Sequence, residues 1–365
     1  MRNFAVLLFV LVCSFAFAKT EIGELHGVPF RIDLPENWNH DLVVYYHGYR
    51  TDPEQFKPGE LNPVLAEFTK RGYAVVQSAY SKTGWAVEQA VPETEGLRQY
   101  FAQNYGAPKE TLVAGHSMGG FLTVETMERF PNKYAAGLAL CGALQPAPEL
   151  IERAFHFAVV FDYYFPGQLP PPNKIPADFK PASEKIKQIE QQLTGNPEKA
   201  GALRQFAKLK SDKEVAGNAV FLAFVLKDVQ QRSGGNPFSN RDTIYTGSPD
   251  DNRLNDGVKR YDATASLDYL KSNATLTGKL QHPVLAIHTT YDQLVPLEVP
   301  NSYGFLTKVN GSGNLFVQQY VEHDGHCNIA PGEVGKGFDE LLAWTHQHVK
   351  PKGGGVTAGS AAPNK

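Results

Sequence analysis

The sequence predicts an α/β fold: a mostly parallel central sheet flanked by helices and interrupted by a mostly helical insertion. Three observations carry this. Short, continuous apolar runs alternate with helical patterns, as expected for strands buried on both faces by crossover helices. That rhythm breaks between residues 146 and 278 and then resumes. A Gly-x-Ser-x-Gly turn, Gly115-His116-Ser117-Met118-Gly119, stands where a strand gives way to a helix. The expected division is a leader at 1–18, a core in two parts at 19–145 and 279–349, a helical cap or insertion at 146–278, and a structureless tail at 350–365.

The elements follow in order. Arg2 and the apolar run from Ala5 to Phe17 end at Ala16-Phe17-Ala18, a small-x-small cleavage signal, so an exported protein beginning at Lys19 is expected. The run is too short for a span, which needs about 20 apolar residues. No later segment has that length, so no membrane span is expected in the mature protein. Residues 42–46 read as a buried strand ending at His47-Gly48. A helix at 61–71 stops at Gly72, and a strand at 73–79 follows. Residues 86–105 form a long helix closed by Gly106. A strand at 111–114 leads into the Ser117 turn, whose helix runs to about Phe130 and is closed by Pro131. Residues 136–140 are again a strand.

Within the insertion, 166–176 is too proline-rich for regular structure, while 183–209 and 215–229 are helical in pattern. The second of these is strongly apolar and needs a partner to cover it. Beyond the insertion, 283–288 and 315–321 read as strands and 333–349 as a closing amphipathic helix. The tail, rich in Gly, Ala, Ser and Pro, carries no chemistry.

Composition narrows the function. Hydrophobic residues make up 42% and charged residues 20%, which excludes intrinsic disorder. The formal net charge of −3 excludes the cationic excess a nucleic-acid partner requires. Of three cysteines, Cys13 leaves with the leader. Cys141 and Cys327 remain, an even number in an oxidising compartment, and a single disulfide between them is expected. No metal-ligand cluster and no phosphate loop stand out, so neither a metal nor an organic cofactor is expected.

The chemistry concentrates at Ser117. A strained turn would lift its hydroxyl to the carboxyl edge of the sheet, above a helix N-terminus whose free N–H groups, Met118's among them, can hold an oxyanion. A serine nucleophile needs a base and an orienting acid. Asp292 follows the strand at 283–288, and His326 follows the strand at 315–321, presented by the Asp324-Gly325 turn. Chain order and sheet edge therefore suit Ser117, Asp292 and His326. His323 is an alternative base, and Glu322 and Asp324 are alternative acids. His116 is expected to be packed or hydrogen-bonded, and His288 to lie in the core. The loop after the first core strand points to the Tyr49 N–H as a second oxyanion donor. Trp85, in the loop after the next strand, is a candidate pocket wall.

The order of strand, His47-Gly48, Ser117, Asp292 and His326 resembles the α/β-hydrolase superfamily. More narrowly, it is similar to exported bacterial members with a Gly-His-Ser-Met-Gly-Gly elbow and a Gly-His-Cys base loop, here 115–120 and 325–327. The resemblance spans roughly residues 41–349 and is loose in the insertion. It implies the α/β-hydrolase fold and a serine hydrolase. The His326-Cys327 pair also resembles tannases and feruloyl esterases, in which a cysteine beside the base is bridged to one beside the nucleophile. Here position 116 is His, so any such bridge has to use Cys141, and it would anchor the His326 loop.

The expectation is a secreted hydrolase of carboxylic esters acting on a small-molecule or polymer-derived substrate through an acyl-enzyme. A serine peptidase of the prolyl-oligopeptidase kind shares the triad, although no propeller repeat precedes the catalytic part. A binding protein on the same scaffold would not need all three positions filled. The aromatics Phe155, Phe157, Phe161, Tyr163, Tyr164 and Phe165 suit either an acyl pocket or the insertion's own core.

Overall fold

Nine strands form one sheet in the order 1-2-4-3-5-6-7-8-9 in a computed structural model that describes residues 18–355. All of the expected leader but residue 18, and the tail beyond residue 355, lie outside the described residues. The chain opens with β1 (Lys19–Leu25) and β2 (Val28–Leu34), an antiparallel pair turned at His26-Gly27, where both residues have positive φ. Then come β3 (Leu42–Tyr46), α1 (Pro63–Thr69), β4 (Ala74–Ser78), α2 (Val87–Tyr105), β5 (Thr111–His116), α3 (Met118–Arg129) and β6 (Ala136–Leu140). The insertion contributes α4 (Ala147–Tyr164), α5 (Ser183–Thr194), α6 (Pro197–Ala207), α7 (Asp212–Ser233), α8 (Asp251–Gly257) and α9 (Asp268–Asn273). The core resumes with β7 (Val284–Tyr291), α10 (Glu298–Val309), β8 (Phe316–Asp324), α11 (Pro331–Gln347) and the two-residue β9 (Gly354–Gly355). Only the β1–β2 and β2–β4 pairings are antiparallel. The α/β-hydrolase fold expected from the sequence, with its mostly parallel sheet and helical insertion, is the one present.

The buried strands sort their side chains by parity. Leu42, Val44 and Tyr46 of β3 join Leu97, Phe101 and Phe121 from α2 and α3 on one face. Val43 and Tyr45 join Phe68, Phe338 and Leu341 from α1 and α11 on the other. Both faces are covered, which is why these strands read as unbroken apolar runs rather than as alternations.

Local chemistry sets several boundaries. The helix expected from residue 61 begins at Pro63, because Asn62 Oδ1 accepts the Val64 N–H at 2.9 Å and caps it. The final helix begins at Pro331, before the expected 333, and Glu333 reaches back to accept the Ala330 N–H at 2.8 Å. In the insertion α7 is a full 22 residues, closed by the Ser211–Glu214 capping box at one end and left-handed Gly234 at the other. Its apolar side, including Val215, Val220 and Leu226, is covered by the other insertion helices. Past α11 the chain stays beside the sheet for a few residues, Gly354–Gly355 pairing with Gln319 and Tyr320 of β8.

Cys141 and Cys327 are joined in a disulfide with Cα atoms 5.1 Å apart, bridging a separation of 186 residues. Both half-cystines hold positive φ (43° and 58°), a conformation that costs a non-glycine residue energy. Closing so long a loop removes much freedom from the unfolded chain. Reduction, or replacement of both cysteines by serine, is expected to cost roughly 2–5 kcal/mol. Urea midpoints with and without reductant check this; equal midpoints refute it.

Candidate active site

The site begins with a backbone constraint. β5 ends under the start of α3, and the chain turns through Ser117 at φ 56° and ψ −120°. Only glycine fits beside the turn. A Cβ on Gly119 would lie 2.0 Å from the Tyr46 carbonyl oxygen, and one on Gly115 would lie 2.3 Å from that of Gly119. The turn is fastened by the Ser117 N–H donating to Leu140 O of β6 at 2.9 Å. Its strain is therefore held by the sheet on either side.

The base and the acid come from the ends of the next two strands. His326 Nε2 lies 2.8 Å from Ser117 Oγ, and its Nδ1–H donates to Asp292 Oδ2 at 2.6 Å. Asp292 Oδ1 accepts the N–H groups of Leu294 (2.9 Å) and Val295 (2.8 Å), so both carboxylate oxygens are used. With Nδ1 committed to Asp292, Nε2 is free to accept the serine proton. The His326 backbone N–H donates to Gln293 Oε1 at 3.1 Å, fixing the loop from the acid's side.

The structure thus brings together Ser117, Asp292 and His326, and sets their rivals apart. His323 bonds Glu333 at 3.0 Å, and the exposed Asp324 accepts from Lys210 Nζ at 2.6 Å. His288 is buried in β7 and donates from Nε2 to Val295 O at 2.8 Å, with Asp292 Oδ2 at 3.5 Å. Its pKa is pushed down by burial.

Burial of Asp292 acts to raise its pKa, but the hydrogen bond and charge of His326 and the Val295 N–H outweigh it, leaving the pKa below the ordinary value. The sign of the linkage follows. The contribution is complete above the unfolded pKa of about 3.9 and disappears as pH falls through the lower folded value. Wild type is therefore expected to lose more stability than Asp292→Asn on acidification below about pH 4. Melting temperatures across that range decide it; parallel losses refute it.

Two N–H groups are available for an oxyanion. Among the described residues, neither the Met118 nor the Tyr49 N–H donates to another group. Met118 owes this to its place at the first turn of α3. Tyr49 follows Gly48, whose own N–H donates to His116 Nε2 at 3.2 Å. The ring of His116 then presents its Nδ1–H to Tyr45 Oη at 2.9 Å. Burial, helped by the charges of His47, His326 and Arg50, pushes the His116 pKa down to about 3. A neutral imidazole thus ties the Gly48 loop to the elbow, and the packed or hydrogen-bonded side chain expected from the sequence is hydrogen-bonded at both ring nitrogens.

A cavity of about 450 Å³ opens above Ser117. Its floor and core-side wall include Met118, Tyr49 and Trp85, and its roof includes Leu150, Phe157, Phe221 and Val225 of the insertion. Trp85 packs at a tilt against Phe121 with centroids 5.5 Å apart, and Tyr49 meets Phe221 edge-on at 5.3 Å. Of the six insertion aromatics considered from the sequence, Phe157 reaches the cavity, whereas Phe155, Phe161 and Phe165 pack within the insertion.

Sequence reasoning missed the contacts that hold the roof down. Asp228 of α7 accepts the Trp85 N–H, and Arg232 donates to Thr83 O and Glu88 Oε1, each at 3.0 Å. Asn218 Nδ2 donates to Gln293 O at 2.6 Å beside the acid. These partners lie far apart along the chain and follow no local pattern, so only the fold could pair them.

No family model and no curated protein matches the sequence. Solved structures similar to it include an esterase from Pyrococcus furiosus, with TM-score 0.47, 14% identity and 89% of each chain covered. Another is an esterase from Butyrivibrio proteoclasticus with ferulic acid bound, with TM-score 0.47, 13% identity, and 89% of this chain and 98% of that one covered. A third is an acylaminoacyl peptidase from Pyrococcus horikoshii, with TM-score 0.44, 12% identity, and 91% of this chain and 42% of that one covered. At these scores and identities they do not bear on the reaction.

Proposed function

We propose that the protein is an exported serine hydrolase that cleaves carboxylic esters through an acyl-enzyme on Ser117. The observation that carries this reading is the unbroken run from Ser117 Oγ through His326 to Asp292, at 2.8 and 2.6 Å, opening into the cavity. Ser117 Oγ attacks the ester carbonyl carbon while its proton passes to His326 Nε2. Asp292 holds the ring with Nε2 facing the serine and stabilises the cation that forms. The carbonyl electron pair moves onto oxygen, where the Met118 and Tyr49 N–H groups receive it.

Collapse of that adduct breaks the bond to the leaving alcohol, which takes the proton from His326. Water then repeats the sequence on the acyl-enzyme and releases the acid. Every proton and electron pair is accounted for by these side chains and water. The disulfide is compatible with an oxidising compartment, and among the described residues no helix is long and apolar enough to cross a membrane.

The test pairs labelling with turnover. A fluorophosphonate is expected to modify Ser117 in folded protein, and 4-nitrophenyl acetate or butyrate to be hydrolysed while aminoacyl 4-nitroanilides are not. Anilide cleavage with inert esters replaces the esterase reading with a peptidase. Absence of labelling removes the enzyme reading altogether.

A further inference from the structure

The cavity is mostly apolar, but its mouth is not. Arg153 of α4 lines it together with Lys208, Glu298 and His156. Among the described residues no hydrogen bond or ion pair joins the Arg153 guanidinium to any side chain. Two acids stand near enough to have taken it. Glu149 is one helical turn earlier on α4, and Glu298 opens α10 on the facing wall. Glu298 is instead ion-paired with Lys208. Most other described arginines are bonded: Arg31 to Asp33, Arg71 to Asp339, Arg232 to Asp228, Arg241 to Asp262. Arg253 resembles Arg153 in having no side-chain partner, but it does not line the cavity.

Arg153 is exposed at the mouth; partial burial among its neighbours draws its pKa below the ordinary value, and the charge of Glu298 acts the other way. His156 adds no charge of its own at neutral pH, since burial lowers its pKa as well. Among the residues that line the cavity, two cations therefore stand against one carboxylate, and the guanidinium is the cation without a protein partner. A guanidinium that lines the cavity and has no protein partner is open to a carboxylate, which meets it with two parallel hydrogen bonds.

We propose that Arg153 is the counter-ion for a carboxylate carried by the substrate, at the end of the ester remote from the scissile bond. This rests on the ester-hydrolase reading of Ser117 and adds the substrate class: esters with one free acid group and a short apolar body between it and the scissile bond. The apolar roof takes the body and the mouth takes the charge. Arg153 acts here as a specificity residue.

Two matched ester pairs test it. One varies the acyl side: the mono-4-nitrophenyl ester of hexanedioic acid against its terminal primary amide. The other varies the alcohol side: 4-carboxybenzyl butyrate against 4-carbamoylbenzyl butyrate. Wild type is expected to favour the acid of at least one pair by roughly ten- to a hundredfold in kcat/KM. Arg153→Gln is expected to reduce that ratio to near unity, and the preference to shrink with added salt. No preference in either pair, or one that survives Arg153→Gln, overturns the proposal.

A binding arm separates its failure from that of the ester reading. Calorimetry compares 4-phenylbutyrate with 4-phenylbutanamide on both proteins and needs no turnover. Tighter binding of the carboxylate to wild type, lost in Arg153→Gln, supports the anion site even if no ester is cleaved. Equal binding of the two compounds, or carboxylate binding indifferent to the substitution, counts against it.

Discussion

Ser117→Ala is expected to lower kcat for 4-nitrophenyl esters by roughly a million-fold, while the protein melts close to wild type. The size follows from what is removed. In the proposed mechanism the hydroxyl oxygen attacks the phosphorus of a fluorophosphonate, displacing fluoride, and is the atom that receives the acyl group, so no covalent route survives its removal. His326 and the two N–H groups remain, and together they can only assist direct attack by water. Alanine has no larger side chain to fit, and the backbone at φ 56° is already held by the Leu140 carbonyl and by the contacts of Gly115 and Gly119. Steady-state turnover and a thermal melt on the same preparation provide the check. Activity within a hundredfold of wild type, in protein that melts normally, would remove Ser117 as the nucleophile.

Asp292→Asn is expected to cost roughly ten-thousand-fold in kcat with little change in KM. The loss arises from the direction of one proton. Oδ1 of Asp292 faces the N–H groups of Leu294 and Val295, so an asparagine must place its oxygen there. Its NH2 group then faces His326 Nδ1 and can only donate. The imidazole has to receive that bond at Nδ1 and carry its own proton on Nε2, where it can no longer take one from Ser117. Shape and burial are conserved, so the defect lies in protonation rather than in folding. Asp324→Asn is the control, since among the described residues that exposed carboxylate bonds only Lys210 and lies away from His326 Nδ1. It is expected to change kcat by less than about threefold, as surface substitutions usually have small effects. Equal losses in the two variants would reassign the acid.

How much of this was legible depended on the range of the cause. The Ser117 turn was readable because its requirements are local: two glycines, a preceding strand and a following helix lie within a few residues. Asp292 and His326 were readable because each lies just beyond a buried strand, and strand ends on one sheet edge converge. The β1–β2 pair was not anticipated. β1, Lys-Thr-Glu-Ile-Gly-Glu-Leu, is largely exposed, so it lacks the continuous apolar run that marked the inner strands. His116 was visible as a residue, but its bond to the Gly48 N–H depends on β3 lying beside β5. The Asp228 and Arg232 clamp on the Trp85 loop and the unpaired state of Arg153 lie further from view. Both depend on where α7 and α4 settle over the sheet, which the packing of the whole insertion decides.

The disulfide has a consequence for the way the protein can be damaged. Because it joins residues 141 and 327, every insertion helix and the acid loop lie inside one covalent ring. A protease that cuts the roof, for instance in the proline-rich stretch at 166–176, opens the ring without dividing the molecule. The piece carrying Ser117 and the piece carrying His326 stay tethered through Cys327, next to His326, and Cys141, next to the Leu140 carbonyl that holds the Ser117 N–H. A clipped protein should therefore run as one species until a reductant is added. In a protease-rich medium, the roof could be cut while nucleophile and base stayed in register.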